Sequence, residues 1–114
     1  MHDFAILNLV AATVAEAGGL RSPKQLYDMR RHPTLAKLRD TTLFLIRAKT
    51  QLSYEEIGRA FRRDRSTIIC AVKREEERLR RVLPLRPDGR TLQQWHEFLS
   101  KKIDEAVAAS VAQS

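Results

Sequence analysis

The chain has 114 residues, 43% of them apolar and 31% charged, with a formal net charge of +7. That length holds one domain with a modest core, and the composition is that of a globular chain rather than a disordered or fibrous one. No apolar run approaches the roughly 18 residues that cross a bilayer. The single cysteine, Cys70, excludes an intramolecular disulfide and points to a reducing cytoplasm.

The charge is unevenly spread. Between Arg21 and Arg90 stand 19 basic and 9 acidic residues, a balance of +10, whereas the two flanks hold 2 basic and 5 acidic residues, a balance of −3. A positive field confined to the middle of the chain favours a polyanionic partner.

Residues 3–17 place Phe4, Leu7, Ala11 and Val14 at helical spacing, and Gly18-Gly19 stop the pattern. The segment is not expected to be a secretion signal, because Asp3 precedes the apolar run, no lysine or arginine does, and Asn8 interrupts it. Ser22 and Pro23 suit the N-cap and first position of a short second helix, followed by the basic connection Arg30-Arg31-His32-Pro33. From Thr34 a long helix runs to about Thr50, with Leu35, Leu38, Leu45 and Ile46 on the buried stripe and Lys37, Arg39, Arg47 and Lys49 off it.

In "SYEEIGRAF", Ser53 and Glu56 have the spacing of a capping box, and Ile57 and Phe61 share one face. After the Arg62-Arg63 turn, Asp64 opens a helix that turns Ile68, Val72 and Leu79 inward and runs to about Arg81. In its "EEERLRR" tract, Glu75, Glu76 and Glu77 precede Arg78, Arg80 and Arg81 at pairing distance, so a solvated face is expected there. A linker with Pro84, Pro87 and Gly89 leads to a last helix, capped by Thr91, that repeats Leu92, Trp95, Leu99, Ile103 and Val107. No strand-period alternation occurs. The expected fold is all-α with about six helices: residues 1–83 form a helix-turn-helix domain, 84–90 a linker and 91–114 an amphipathic C-terminal helix.

Two short helices around a tight turn, the second opening with small polar residues among arginines, make a helix-turn-helix. A helix N-terminus carries partial positive charge and unpaired N–H groups, which suit phosphate, and Arg62, Arg63 and Arg65 add full charges there. With that helix in the major groove, Arg65 can pair with guanine, and Ser66 or Thr67 can contact a base edge or a thymine methyl. Asp64 either caps its helix through the N–H of Ser66 or Thr67 or accepts from a cytosine amino group.

"LSYEEIGRAFRRDRSTIICAVKR" resembles the signature of the C-terminal DNA-binding domain of the bacterial replication initiator DnaA, which has a Trp-repressor-like helix-turn-helix fold. Ser53, Glu56, Ile57, Gly58, Phe61, Arg63, Asp64, Ser66, Thr67, Ala71 and Lys73 fit that pattern, and the resemblance extends over about residues 5–81. It implies minor-groove contact from Arg31, with Arg30 beside it, and phosphate contacts from Arg39 and Arg47. Tyr54 and Glu55 would meet DNA from the first helix of the motif, and Asp64, Arg65, Ser66 and Thr67 would read bases. The chain departs from the pattern where the Gly-Gly turn becomes Arg62-Arg63 with one residue fewer. A histidine becomes Arg65, a proline becomes Glu55, and Pro-Arg-Gln becomes Leu38-Arg39-Asp40. The family's usual target sequence is therefore not implied, since arginine for histidine favours guanine.

The initiator's ATPase needs a Gly-x-x-x-x-Gly-Lys-Ser/Thr loop, which this sequence lacks, so a stand-alone relative of the DNA-reading domain is expected, with no bound nucleotide. Cys70 reads as inert helix packing, and His2, His32 and His96 read as surface residues without metal-ligand spacing. No acid pair or nucleophile elbow suggests an enzyme. The expected protein is a cytoplasmic, nucleoid-associated regulator of replication or transcription that binds double-stranded DNA without membrane, metal or cofactor. The C-terminal helix packs on its own domain or forms a homodimer. The alternative is a protein-interaction module acting through that helix, with only non-specific nucleic-acid binding.

Overall fold

Helix α1 (Asp3–Ala17) buries Leu7, Val10, Ala11, Val14 and Ala15. Its end is set by Gly19, whose φ of +77° lets Leu20 N–H reach back to the Ala15 carbonyl at 2.8 Å. This computed structural model describes residues 1–27, 32–81, 86 and 88–112. Phe4, which the spacing put on the buried stripe, lies in the first turn instead, 41% exposed and stacked on His2.

The expected second helix is a 3₁₀ turn over Pro23–Tyr27, so the fold has five α-helices and this turn. Ser22 does cap it, accepting from the Lys24 N–H, and Gln25 folds back to accept from the Arg21 N–H. Five residues opened by proline give too few i→i+4 bonds for an α-helix, and the tighter form is usual for such connectors. The turn buries Leu26 and stacks Tyr27 on Phe61 at 4.4 Å between ring centroids. Arg30 and Arg31 lie outside the described residues, as do residues 82–85 and 87 of the linker region.

Helix α2 (Pro33–Lys49) starts with proline in its first turn and buries Leu38, Leu43, Leu45 and Ile46, with Leu35 only half-buried. Its buried polar groups are satisfied: Thr42 donates to the Leu38 carbonyl, and the single Thr41 O–H is shared between the Lys37 carbonyl and the Glu75 carboxylate. Asp40, 3% exposed, is gripped by both nitrogens of an Arg74 fork at 3.1 Å and by Arg78 at 2.8 Å. Helices α3 (Tyr54–Phe61) and α4 (Arg65–Leu79) follow, α4 packing along α2.

Helix α5 (Leu92–Ala112) carries the cap expected at Thr91, and the bond is reciprocal: the Thr91 hydroxyl accepts from Gln94 N–H while the Gln94 side chain accepts from Thr91 N–H. Its stripe of Trp95, Leu99 and Ile103 is buried against α1 and α4 of the same chain. Two expectations fall here. Glu75 does not belong to a solvated face but is 1% exposed, and His96 is buried at 8% exposure. Glu75 accepts from the Thr41 hydroxyl, from Arg78 at 3.3 Å and meets His96 Nε2 at 2.8 Å, so one carboxylate ties α2, α4 and α5 together. Of the expected pairs within the acidic tract, Glu75–Arg78 and Glu77–Arg80 form. None of the helices, over the described residues, is long and apolar enough to cross a membrane.

Candidate nucleic-acid interface

The Ser53 hydroxyl accepts from Glu56 N–H at 3.1 Å while the Glu56 carboxylate accepts from Ser53 N–H at 3.1 Å, which starts α3 as the spacing predicts. Those bonds from Ser53 hold the Glu56 carboxyl below its ordinary pKa. Helix α3 buries Ile57, Gly58 and Phe61 against Ile68 and Val72 of α4, fixing the two helices as a unit.

The turn between them is unusually close. Arg63 N–H donates to the Gly58 carbonyl at 2.9 Å, and a Cβ placed on Gly58 would lie 2.6 Å from the Arg63 carbonyl oxygen. Only a glycine lets the chain return so near the helix it has just left. Arg62 then adopts the left-handed conformation, φ 53° and ψ 47°, as the only non-glycine among the described residues with positive φ. A glycine would take that conformation without strain, which accounts physically for the Gly-Gly that the signature places here.

Asp64 is extended, at φ −66° and ψ 150°, and occupies the N-cap of α4, but its side chain makes no capping hydrogen bond. Of the two roles open to it, capping is therefore not taken up here. Arg62, Asp64, Arg65, Ser66 and Thr67 are all exposed, and Arg63 is half-buried with a long contact from Nη1 to the Phe61 carbonyl at 3.4 Å. The N-cap and first turn of α4 together thus present two hydroxyls, a carboxylate and guanidinium groups to solvent, over backbone N–H groups that α-helical geometry leaves unpaired.

The basic residues of α2 are more constrained than spacing suggested. Arg47 is exposed, donates from Nη1 to the Leu52 carbonyl at 3.1 Å, and lies 4.6 Å from the centre of the Tyr54 ring. Tyr54 is half-buried against the core, so it packs and supports Arg47 at once. Arg39 Nε donates to the Leu26 carbonyl at 2.8 Å, tying α2 to the 3₁₀ turn. Glu55 and Lys73 are exposed.

Cys70 corrects the packing expectation, because it is exposed. It follows Ser66 by four residues and precedes Lys73 by three, which puts all three on one face of α4. That spacing was the signal available in the sequence. Arg59, exposed on α3 one turn before Arg62, adds a further cation beside the motif. Beyond Lys73 the exposed residues are of mixed sign: Arg74, Glu76, Glu77, Arg80 and Arg81, with Arg80 paired to Glu77 at 3.1 Å.

The family model for the bacterial dnaA protein helix-turn-helix matches residues 7–74, which runs from the fifth residue of α1 through the tenth of α4. Among curated proteins, a chromosomal replication initiator protein DnaA from Oleidesulfovibrio alaskensis is 39% identical over 64 residues, 56% of this chain and 14% of the relative. The same protein from Ehrlichia ruminantium is 35% identical over 88 residues, 76% of this chain and 19% of the relative. That from Anaplasma marginale is 34% identical over 77 residues, 67% of this chain and 16% of the relative. The matched stretch is thus less than a fifth of each relative's length. With more than half of its residues inside the match, this chain belongs to the bacterial DnaA helix-turn-helix family.

Proposed function

We propose that the protein binds double-stranded DNA sequence-specifically, with the start of α4 in the major groove and the Arg30-Arg31 connection in the minor groove. The observation that supports this reading is the exposed, unspent first turn of α4: Arg65, Ser66 and Thr67 face solvent and the Asp64 carboxylate makes no cap bond. Arg65 would donate to guanine O6 and N7, and Asp64 would accept from a cytosine amino group. Arg62, Arg63 and Lys73 would neutralise phosphates around that contact, with Arg39, Arg47, Tyr54 and Glu55 lining the flank from α2 and α3. Regulation at replication-type sites is the role this reading favours, because the relatives are replication initiators by name.

Selection of binding sites from a random duplex pool tests the reading directly. A defined motif should emerge and bind on the order of a thousandfold tighter than random DNA. Arg65→Ala should weaken that preferred site by roughly 1–3 kcal/mol and relax base choice at one position. An unchanged motif and affinity in this variant would show that Arg65 reads no base.

A further inference from the structure

Helix α5 and the turn before it lie beyond the residues that the family model matches. They carry a basic surface of their own. Arg86 N–H donates to the Arg90 carbonyl at 2.8 Å, and Gly89, at φ +82°, closes the turn with a bond to the Arg86 carbonyl. Two arginines are thereby set side by side over α5. The Arg86 guanidinium lies 3.9 Å from the centre of the Trp95 ring, and that of Arg90 lies 4.5 Å from Phe98. Lys102 Nζ approaches the same Phe98 ring at 5.3 Å, and the two rings stack at 6.0 Å.

Three cations are thus gathered on two aromatic rings. Asp88 is 3.9 Å from both Arg86 and Arg90, too far for a hydrogen bond, the buried Glu75 also acts on Arg86 through space, and Lys102 has no acidic partner among the described residues. Arg81, exposed and without an ion pair among the described residues, is close by: the Gln93 side chain donates to its carbonyl at 3.4 Å and to that of Leu79. The cluster is costly for the fold. Arg86 Nε and Trp95 Nε1 are both buried without an acceptor among the described residues, and burial pushes the Arg86 pKa down. A guanidinium laid flat on a ring keeps its edge N–H groups for another acceptor, and phosphate matches them.

We propose that this cluster, centred on Arg90 and Lys102, is a second nucleic-acid site that holds the phosphate backbone of a separate DNA segment. Distance makes the segment separate. The site lies past the far end of α4, a helix whose 15 residues span about 22 Å at 1.5 Å each. A molecule bound by the start of α4 would then bridge two duplexes. The inference rests on the proposed function for the identity of the first duplex alone.

The test saturates the protein with a short duplex carrying its selected site, labelled with a donor dye, and adds a random duplex labelled with an acceptor. Energy transfer, together with sedimentation at one protein per two duplexes, is the expected result. Arg90→Gln/Lys102→Gln should lower affinity for the second duplex by on the order of tenfold and flatten its salt slope by about 1.8, while leaving the first duplex bound as before. Arg81→Gln, outside the aromatic stack, should produce a smaller loss, and thermal melts establish that each variant is folded. No second duplex on the wild type, equal uptake by the folded double variant, or uptake of polyglutamate in place of duplex would each overturn the proposal. Arg65→Ala distinguishes the two readings, because it should relax base choice at one position of the first duplex and leave uptake of the second intact.

Discussion

Gly58→Ala tests the geometry on which the interface depends. The new methyl would stand 2.6 Å from the Arg63 carbonyl oxygen, a separation that real side chains do not sustain. The obstacle is backbone and cannot swing aside, and the Arg63 N–H bond to the Gly58 carbonyl at 2.9 Å holds the turn in place. Two effects oppose one another. Alanine is favoured over glycine in a helix interior by about 1 kcal/mol. Forcing an extra carbon into a filled site costs typically 1–3 kcal/mol. At so short a separation the upper part of that range applies, so a net loss of about 1–2 kcal/mol is expected, or a fall in Tm of about 4–10 °C for a domain of this size. Thermal unfolding followed by circular dichroism measures it, and the displaced turn should also weaken binding to the selected site. A variant that melts at or above the wild-type temperature would show that the helix and turn are not in this contact.

Arg62→Gly should do the opposite to stability and the same to binding. Relief of the left-handed backbone, less the entropy that glycine adds to the unfolded chain, should raise stability by about 0.5–1 kcal/mol in urea unfolding, while the lost charge flattens the salt slope of DNA binding by about 0.9. Cys70 should react readily with iodoacetamide in the free protein and be protected when the selected duplex is bound; equal rates would place DNA elsewhere. Glu75 gives a pH signature. Burial raises its carboxyl, but bonds from His96 and Thr41, the charge of His96 and the Arg78 contact together leave it below its ordinary 4.5. A lowered folded value contributes stability above the unfolded value that is lost as pH falls through the folded one, so wild-type stability should decline below about pH 4.5. Glu75→Gln should lose about 1–3 kcal/mol at neutral pH and show a shallower acid decline, read from urea midpoints across pH 3–7.

The helices were legible because their signals are local. Ser53 and Glu56 state a helix start within four residues, Thr91 announces α5, and the spacing of Leu7, Ala11 and Val14 or Leu99 and Ile103 marks buried faces before any contact is known. The motif was legible through its order: Gly58, Phe61, Asp64, Ser66 and Thr67 occur as a linear pattern. What spacing could not give is which polar residues leave the surface. Glu75 sits in a run of three glutamates followed by arginines, and only the approach of Thr41 from α2 and His96 from α5 separates it from its neighbours. Nor could spacing separate Asp64 as a cap position from Asp64 as a bonded cap, since that depends on a side-chain torsion.

These buried polar groups bear on the site itself. Arg62, Arg63 and Arg65 crowd positive charge at the N-terminus of α4, where the helix dipole is also positive, at a cost of roughly 0.3–1 kcal/mol for each nearby charge. Helices usually begin with acids, yet no acid follows the N-cap Asp64 in the first turn of α4, and Asp64 itself makes no capping bond. Farther along α4, Arg74 and Arg78 are held by the buried Asp40 of α2, and Glu75 by Thr41 and His96. A charge-assisted bond of that kind contributes about 1.5–3 kcal/mol before the cost of burying the charge is counted, so the bonds at Asp40 and Glu75 act against the repulsion at the start of α4. The consequence is directional: α4 is anchored by its middle and leaves its first turn electrostatically unsatisfied, and an anion placed there gains both the dipole and the guanidinium charges. Replacing Asp40 would therefore weaken the fold without removing a single group from the DNA-facing turn.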